Sequence, residues 1–374
     1  MENPPKTFIV QKTETEIGGQ PVLVLRAPAS SYKKCPKITT AYVLPGRGMN
    51  IYQLTAYFPD RGEFDMFYSP PFEEAPGFFD NSPVDFMGNK SFMIGGAILI
   101  PYPNRIRGNL LCDGKSLETK ILGKTVILPA NWSSAGNTKG EKIAMHGLIL
   151  KRNMNEITTH SNDVKAQVTG ILKAGDFDGR WIGQSLLTTT CTLTETGFSF
   201  SVTVENVGDE SLPAAVGWHP YFQIPSGKRE QCRVHIPARS MVSINNYDDV
   251  FPTGDIVPVE GTKFDFRDRS GAPLKNTYYD DSFTDLERDS EGYSVTEMMD
   301  PDARYGVRIF ANSINKAVQI YAPPDKNFVA IEPQFNLTDP FNESVWGKNA
   351  NKGMAILEPG QSATYEVKIE LFIP

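Results

Sequence analysis

A chain of 374 residues, 40% of them hydrophobic and 11% aromatic, can bury a large core in one big domain or two ordinary ones. Its formal net charge of -7, with Lys and Arg scattered along it, offers no basic field to a phosphate backbone and argues against a nucleic-acid partner. Residues 1–12 are polar, and no later run approaches the roughly 18 apolar residues of a membrane span, so the expectation is a cytoplasmic protein away from membranes, with export left open.

Glycine and proline, 31 and 28 in number, cut the chain into short apolar runs without long stripes of helical period. That punctuation is β. Residues 57–85 are rich in Pro, Phe and acidic side chains. After them, Gly95-Gly96 leads into Ala97-Ile98-Leu99-Ile100 and the turn Pro101-Tyr102-Pro103-Asn104-Arg105-Ile106, so a strand delivers an amide and a guanidinium into a loop. Arginine holds a ligand oxygen with a fork of donors, although a turn asparagine beside a surface arginine is the plainer reading. The segment 120–140, with Asn131-Trp132, is longer than a tight hairpin needs; it and 57–85 are positioned to reshape a cleft. Ala144-Met145-His146-Gly147 ends a short run in a histidine before a turn glycine.

Cys191 and Leu193, then Phe198, Phe200, Val202 and Val204, alternate with polar neighbours around Thr196-Gly197, which predicts a hairpin. Gly217-Trp218-His219-Pro220-Tyr221-Phe222 sets an imidazole among aromatics and before a proline, which restricts its backbone to extended geometry. Tyr278-Tyr279-Asp280-Asp281-Ser282 pairs carboxylates with aromatic rings, a combination suited to sugar hydroxyls and the apolar face of a sugar ring. In Phe328-Val329-Ala330-Ile331-Glu332-Pro333-Gln334, Glu332 shares a strand face with Phe328 and Ala330 and so points toward a core or cleft, where a carboxylate is costly unless paired or used. Tyr365, Val367, Ile369 and Leu371 alternate again near the end. With no repeat and no Gly/Ser linker, one domain of two antiparallel sheets packed face to face is expected.

Phosphate loops, dinucleotide fingerprints, zincin helices and serine elbows are all missing from the sequence. Cys35, Cys112, Cys191 and Cys232 lie far apart and read as small residues in or near the core, forming neither a zinc site nor a disulfide framework. No cofactor or metal is therefore expected.

Taken in order from about residue 40, these segments resemble the aldose 1-epimerase (galactose mutarotase-like) family. Asn104-Arg105-Ile106, His146-Gly147, the run from Gly217 to Phe222, Asp280-Asp281, Glu332-Pro333-Gln334 and Pro359-Gly360 up to Tyr365 follow the family's succession of motifs. The resemblance implies an all-β fold, a large antiparallel β-supersandwich, with a sugar cleft on one sheet. It implies Glu332 as general base at the anomeric hydroxyl and His219 as general acid at the ring oxygen. Asn104, Arg105, His146 and the acidic pair would bind substrate, with Asp280 fitting the register better than Asp281. Gln334 and Trp181 are further candidates for lining the cleft. The partner would be a small sugar, and the protein a monomer or weak homodimer.

The chemistry asks for such a set, because opening a hemiacetal ring requires proton removal at O1 and donation at O5. Glu332 ionised and His219 protonated is the expected resting state, with Pro220 and Pro333 helping to hold both carriers. Two alternatives are a hexose-6-phosphate epimerase, for which Arg47, Arg107 or Arg180 would serve the phosphate, and a non-catalytic carbohydrate-binding domain. A glycoside hydrolase would need a second catalytic carboxylate facing Glu332.

Overall fold

The computed structural model describes residues 5–28, 35–133 and 141–374. Strict alternation builds its first layer. In the strands Ser185–Thr194 and Gly197–Asn206 every second residue is buried, and the expected hairpin pairs Cys191 with Phe200 and Leu193 with Phe198. The final strand, Ser362–Phe372, adds Tyr365, Val367 and Ile369 to the same buried face, while Leu371 is half-buried. Among the described residues this antiparallel sheet has nine strands. One face packs inward and the other meets water, which is what a period of two produces in a half-buried sheet.

The second layer is a twelve-stranded sheet among the described residues. At its centre the strands Gly96–Leu99, Gly217–Gln223, Phe328–Gln334, Ala317–Ala322 and Tyr279–Leu286 lie side by side in that order, all antiparallel. These strands are buried on both faces, so their sequences read as nearly continuous apolar runs rather than as alternation. Trp218 marks the inner face. Its ring lies 5.2 Å from that of Phe200 on the opposite sheet, and its indole nitrogen donates to the Gly96 carbonyl at 3.1 Å. A Cβ on Gly96 would come within 2.6 Å of that same indole nitrogen, so the second glycine of the Gly95-Gly96 pair is fixed by tryptophan packing. One hydrophobic cluster runs from Phe8 to Ile369 and draws on both sheets, matching the expected all-β sandwich.

A small three-stranded sheet joins Arg105–Ile106, Lys142–Met145 and Trp132–Ser133. It brings the Asn104-Arg105 turn beside the His146 turn although some forty residues separate them. The Pro- and Phe-rich stretch behaves differently from expectation: Phe72, Ala75, Phe78 and Phe79 form a satellite cluster with Tyr42 and Tyr52. Only a part of it, through Tyr68, reaches the cleft described below. From 120–140, Trp132 reaches the cleft, and residues 134–140 lie outside the described residues. Cys191 and Cys232 are buried, but Cys35 and Cys112 are exposed, which corrects the reading of all four as core residues.

Because Trp218 ties the two sheets together, Trp218→Ala should cost about 3–5 kcal/mol in urea unfolding. A loss under about 1 kcal/mol would show that the surrounding rings close the gap without it.

Candidate active site

The outer face of the twelve-stranded sheet carries a cleft of about 700 Å³. Period-two geometry decides what enters it. On the strand Gly217–Gln223, Trp218 turns to the core while His219 and Tyr221 turn to the cleft; on Phe328–Gln334, Phe328 and Glu332 do so. Tyr221 pairs with Ala330 and Gly217 with Gln334, and the same register sets His219 opposite Glu332. His219 Nε2 lies 3.3 Å from Glu332 Oε1, both side chains almost wholly buried. The other carboxylate oxygen, Oε2, accepts from Gln334 Nε2 at 3.0 Å. Gln334 itself is absent from the cleft lining, so it holds Glu332 from behind.

A closed ring of hydrogen bonds forms the polar wall. Arg105 donates to Asp280 Oδ2 at 3.0 Å and to Asn104 Oδ1 at 3.1 Å. Gln319 donates to Asp280 Oδ1 at 2.6 Å, and Asn104 donates to Gln319 Oε1 at 3.2 Å. Each member fixes the next, so the donors and acceptors facing the cleft are held before any ligand arrives. His146 joins this wall: the Asn104 amide donates to its Nδ1 at 3.2 Å, and its own amide donates to the Asn104 carbonyl at 2.9 Å. With Nδ1 accepting, neutral His146 carries its proton on Nε2 as a donor. Both residues have positive φ, and a Cβ on the following Gly147 would meet the Ile100 carbonyl oxygen at 2.2 Å, so the His146-Gly147 turn requires glycine.

Seven of the nine residues proposed from sequence thus stand together, lining the cleft or bracing a residue that does: Glu332, His219, Asn104, Arg105, His146, Asp280 and Gln334. Asp281 faces the other way. Its carboxylate accepts from Tyr247 at 3.0 and 3.1 Å and from the Asp280 amide at 3.1 Å, and of the two neighbours Asp280 lines the cleft. Trp181 lies elsewhere, stacked 5.3 Å from Tyr102 with its indole donating to the Pro213 carbonyl, and is corrected from a cleft residue to a packing residue. The arginines proposed for a phosphate are also placed otherwise. Arg47 is buried against Asp85, Arg107 pairs with Glu141, and Arg180 lines a neighbouring cavity. Sequence reasoning missed Gln319 and the rings of Phe92, Tyr221, Tyr247 and Tyr321. Gln319 was findable as the one polar side chain inside the apolar run Val318-Gln319-Ile320-Tyr321, opposite Glu332 in register.

The sequence matches the aldose 1-epimerase family over residues 78–370. The chain belongs to this family. No curated protein matches it significantly in sequence. Among solved structures it resembles a galactose mutarotase-like protein from Clostridium acetobutylicum, at 20% identity and a TM-score of 0.70, covering 99% of this chain and 100% of that one. A galactose 1-epimerase from Lactobacillus acidophilus aligns at 15% identity and a TM-score of 0.65, covering 99% of each chain. A GalM/aldose epimerase homologue from C. elegans aligns at 17% and 0.65, covering 89% and 95%. At these identities the likeness concerns the fold, which is that of the galactose mutarotase-like proteins.

The electrostatics of this aldose 1-epimerase family member differ from the expected resting ion pair. Burial raises the Glu332 carboxyl well above the usual range and the charge of Asp280 adds to it, against smaller opposing effects of Arg105 and the Gln334 hydrogen bond. Burial lowers His219 against an opposing backbone hydrogen bond, and the charge of Arg105 adds a smaller lowering effect. His146 is lowered by burial and then by His219 and Arg105. An ion pair and a neutral pair hold the same single proton; removal from water favours the neutral arrangement, with the proton on the carboxyl. Ionised Glu332 beside protonated His219 is therefore corrected as the resting state.

Asp281 is pushed up to about 7, chiefly by burial. A carboxyl raised in the folded state contributes stability that is complete below its unfolded value, near 4, and is lost as pH rises through 7. Asp281→Asn should therefore flatten the decline in Tm between pH 5 and pH 8, removing up to about 1.4 kcal/mol per pH unit while Asp281 titrates. An unchanged decline would contradict this assignment.

Proposed function

We propose that this chain is an aldose 1-epimerase that interconverts the α and β anomers of a free hexose, such as galactose or glucose, by opening and reclosing its ring. The observation that carries the reading is the facing pair Glu332 and His219, 3.3 Å apart in the cleft and backed by a ring of fixed hydrogen-bonding groups. A binding domain would have no use for a buried carboxyl against a buried imidazole, since both are costly and neither gains by holding a neutral hydroxyl.

Ring opening breaks the bond between C1 and O5. Glu332 takes the proton from O1 as the C1 carbonyl forms, and His219 gives a proton to O5. The step begins with carboxylate and imidazolium and ends with carboxylic acid and neutral imidazole, the protonation state that burial favours at rest. Moving one proton from Glu332 Oε1 to His219 Nε2 prepares the pair, and what desolvation opposes in that move it returns during ring opening. Rotation about C1–C2 then presents the other face of the aldehyde. Reclosure returns the O5 proton to His219 and the Glu332 proton to O1. Neutral His146 offers Nε2–H, and Asp280, held by Arg105 and Gln319, offers acceptor positions to the sugar hydroxyls.

Asp280 is a second carboxylate in the cleft, but both its oxygens are engaged by Arg105 and Gln319. The acid and base facing each other are imidazole and carboxyl, which favours anomer exchange over the two-carboxylate chemistry of glycoside hydrolysis.

Polarimetry of fresh α-D-glucose and α-D-galactose, corrected for spontaneous mutarotation, tests the reading. The native chain should accelerate at least one sugar, and Glu332→Gln or His219→Gln should each lose roughly 10²–10⁴-fold in kcat. Full activity in either variant would remove that residue from the proton path. Because the pair passes its single proton back and forth, native kcat/KM should stay flat from pH 5 to pH 7, without an inflection near the ordinary histidine value of about 6.5. A clear step there would restore an independently titrating His219.

A further inference from the structure

We propose that the sugar cleft continues past Trp132 into a basic annex, and that the substrate is a reducing oligosaccharide carrying an anionic group at its non-reducing end. The inference rests on the anomer exchange proposed above and specifies its substrate class.

A second cavity, of about 1220 Å³, adjoins the cleft, and Met93 and Trp132 line both. Trp132 stands edge-on to Phe92, 5.3 Å between ring centres. An indole at the join gives the apolar face of a sugar ring something to stack on. The cleft alone exceeds what one hexose fills, since cavities of this size hold drug-sized ligands.

Charge distinguishes the two spaces. In the cleft, Arg105 is bound to Asp280 and Lys326 pairs with Asp325, while Asp248 and Glu332 bring further acidic groups. That space suits a neutral reducing sugar. In the annex, Lys115, Lys151 and Arg180 make no ion pair among the described residues, and the Lys142 ammonium donates only to the Gly114 carbonyl at 2.6 Å. Both carboxylates on its walls are already neutralised. Asp85 is gripped by Arg47 at 2.7 and 2.9 Å, and Asp178 pairs with Arg152 at 2.6 Å. Four cations outside any ion pair among the described residues surround one cavity in a chain of net charge -7, and they form a local anion trap beside a neutral one. A carboxylate or a phosphate ester would serve equally, and charge-assisted hydrogen bonds from lysine and arginine recognise either.

The test compares kcat/KM for anomer exchange, followed by NMR, among glucose, glucose 6-phosphate, cellobiose, cellobiouronic acid with its uronate at the non-reducing end, and cellobiose 6′-phosphate. At low salt at least one anionic disaccharide should exceed cellobiose by about tenfold, the size of one charge-assisted hydrogen bond, and the preference should shrink as salt is added. Which of the two gains identifies the anion as carboxylate or phosphate. The double variant Lys151→Glu/Arg180→Glu should abolish the gain while leaving cellobiose and glucose rates and the thermal midpoint unchanged. Equal rates for all three disaccharides, a gain that survives charge reversal, or a gain confined to glucose 6-phosphate would overturn the annex while leaving anomer exchange standing. Acceleration of none of these sugars would overturn both readings.

Discussion

Everything at this site depends on one carboxyl and one imidazole being kept out of water in contact with each other. Glu332 and His219 are both nearly inaccessible, and a charge on either is penalised by burial before any neighbour acts on it. A pair so placed keeps one proton and resists both gaining a second and losing the first. Protein stability gains little from such an arrangement, since apolar side chains would fill the same strand positions at lower cost. In the proposed reaction its value lies in exchanging protons with a neutral molecule placed against both groups.

The fold supplies the rigidity this requires. Both residues sit on central strands of a large sheet, whose opposite face is locked to the second sheet through Trp218, Phe200 and their neighbours. Strand register, rather than a loop, sets His219 against Glu332, and Gln334 comes from the same strand as the residue it braces. The Asn104 and His146 turns, by contrast, hang from short strands and need positive φ at non-glycine positions. Two mutual hydrogen bonds clip these turns together, and the amide and guanidinium are then closed into a ring with Gln319 and Asp280. Such a wall is more dependent on the correct distant partners than the strand pair is.

Much of this was legible in the sequence wherever a period of two could be read. The alternation at Phe198 to Val204 gave a hairpin, and the shared side of Phe328, Ala330 and Glu332 pointed the carboxylate toward a core or cleft, which the fold shows to be the cleft. The preference for Asp280 over Asp281 came from the family resemblance; in the fold the two neighbours on one strand face opposite ways. Long-range consequences were hidden. Trp181 sits in a turn, where no period tells which face it shows, and it packs on Tyr102. Tyr68, Phe92 and Tyr247 enter the cleft from connecting segments, so their convergence depends on the assembled sheet. Protonation was the least visible property. Opposite charges suggest an ion pair on paper, whereas burial, which only the folded chain reveals, reverses the preference.

The account is tested most directly by the proton itself. ¹⁵N NMR of histidine-labelled protein, with His219→Gln to assign the resonances, reports the charge of the His219 ring in the unliganded site. The predicted result is a neutral imidazole throughout pH 5 to 8, consistent with the shared proton residing on Glu332. An imidazolium at pH 7 would contradict it, returning the site to a resting ion pair and removing burial as the force that sets its protonation.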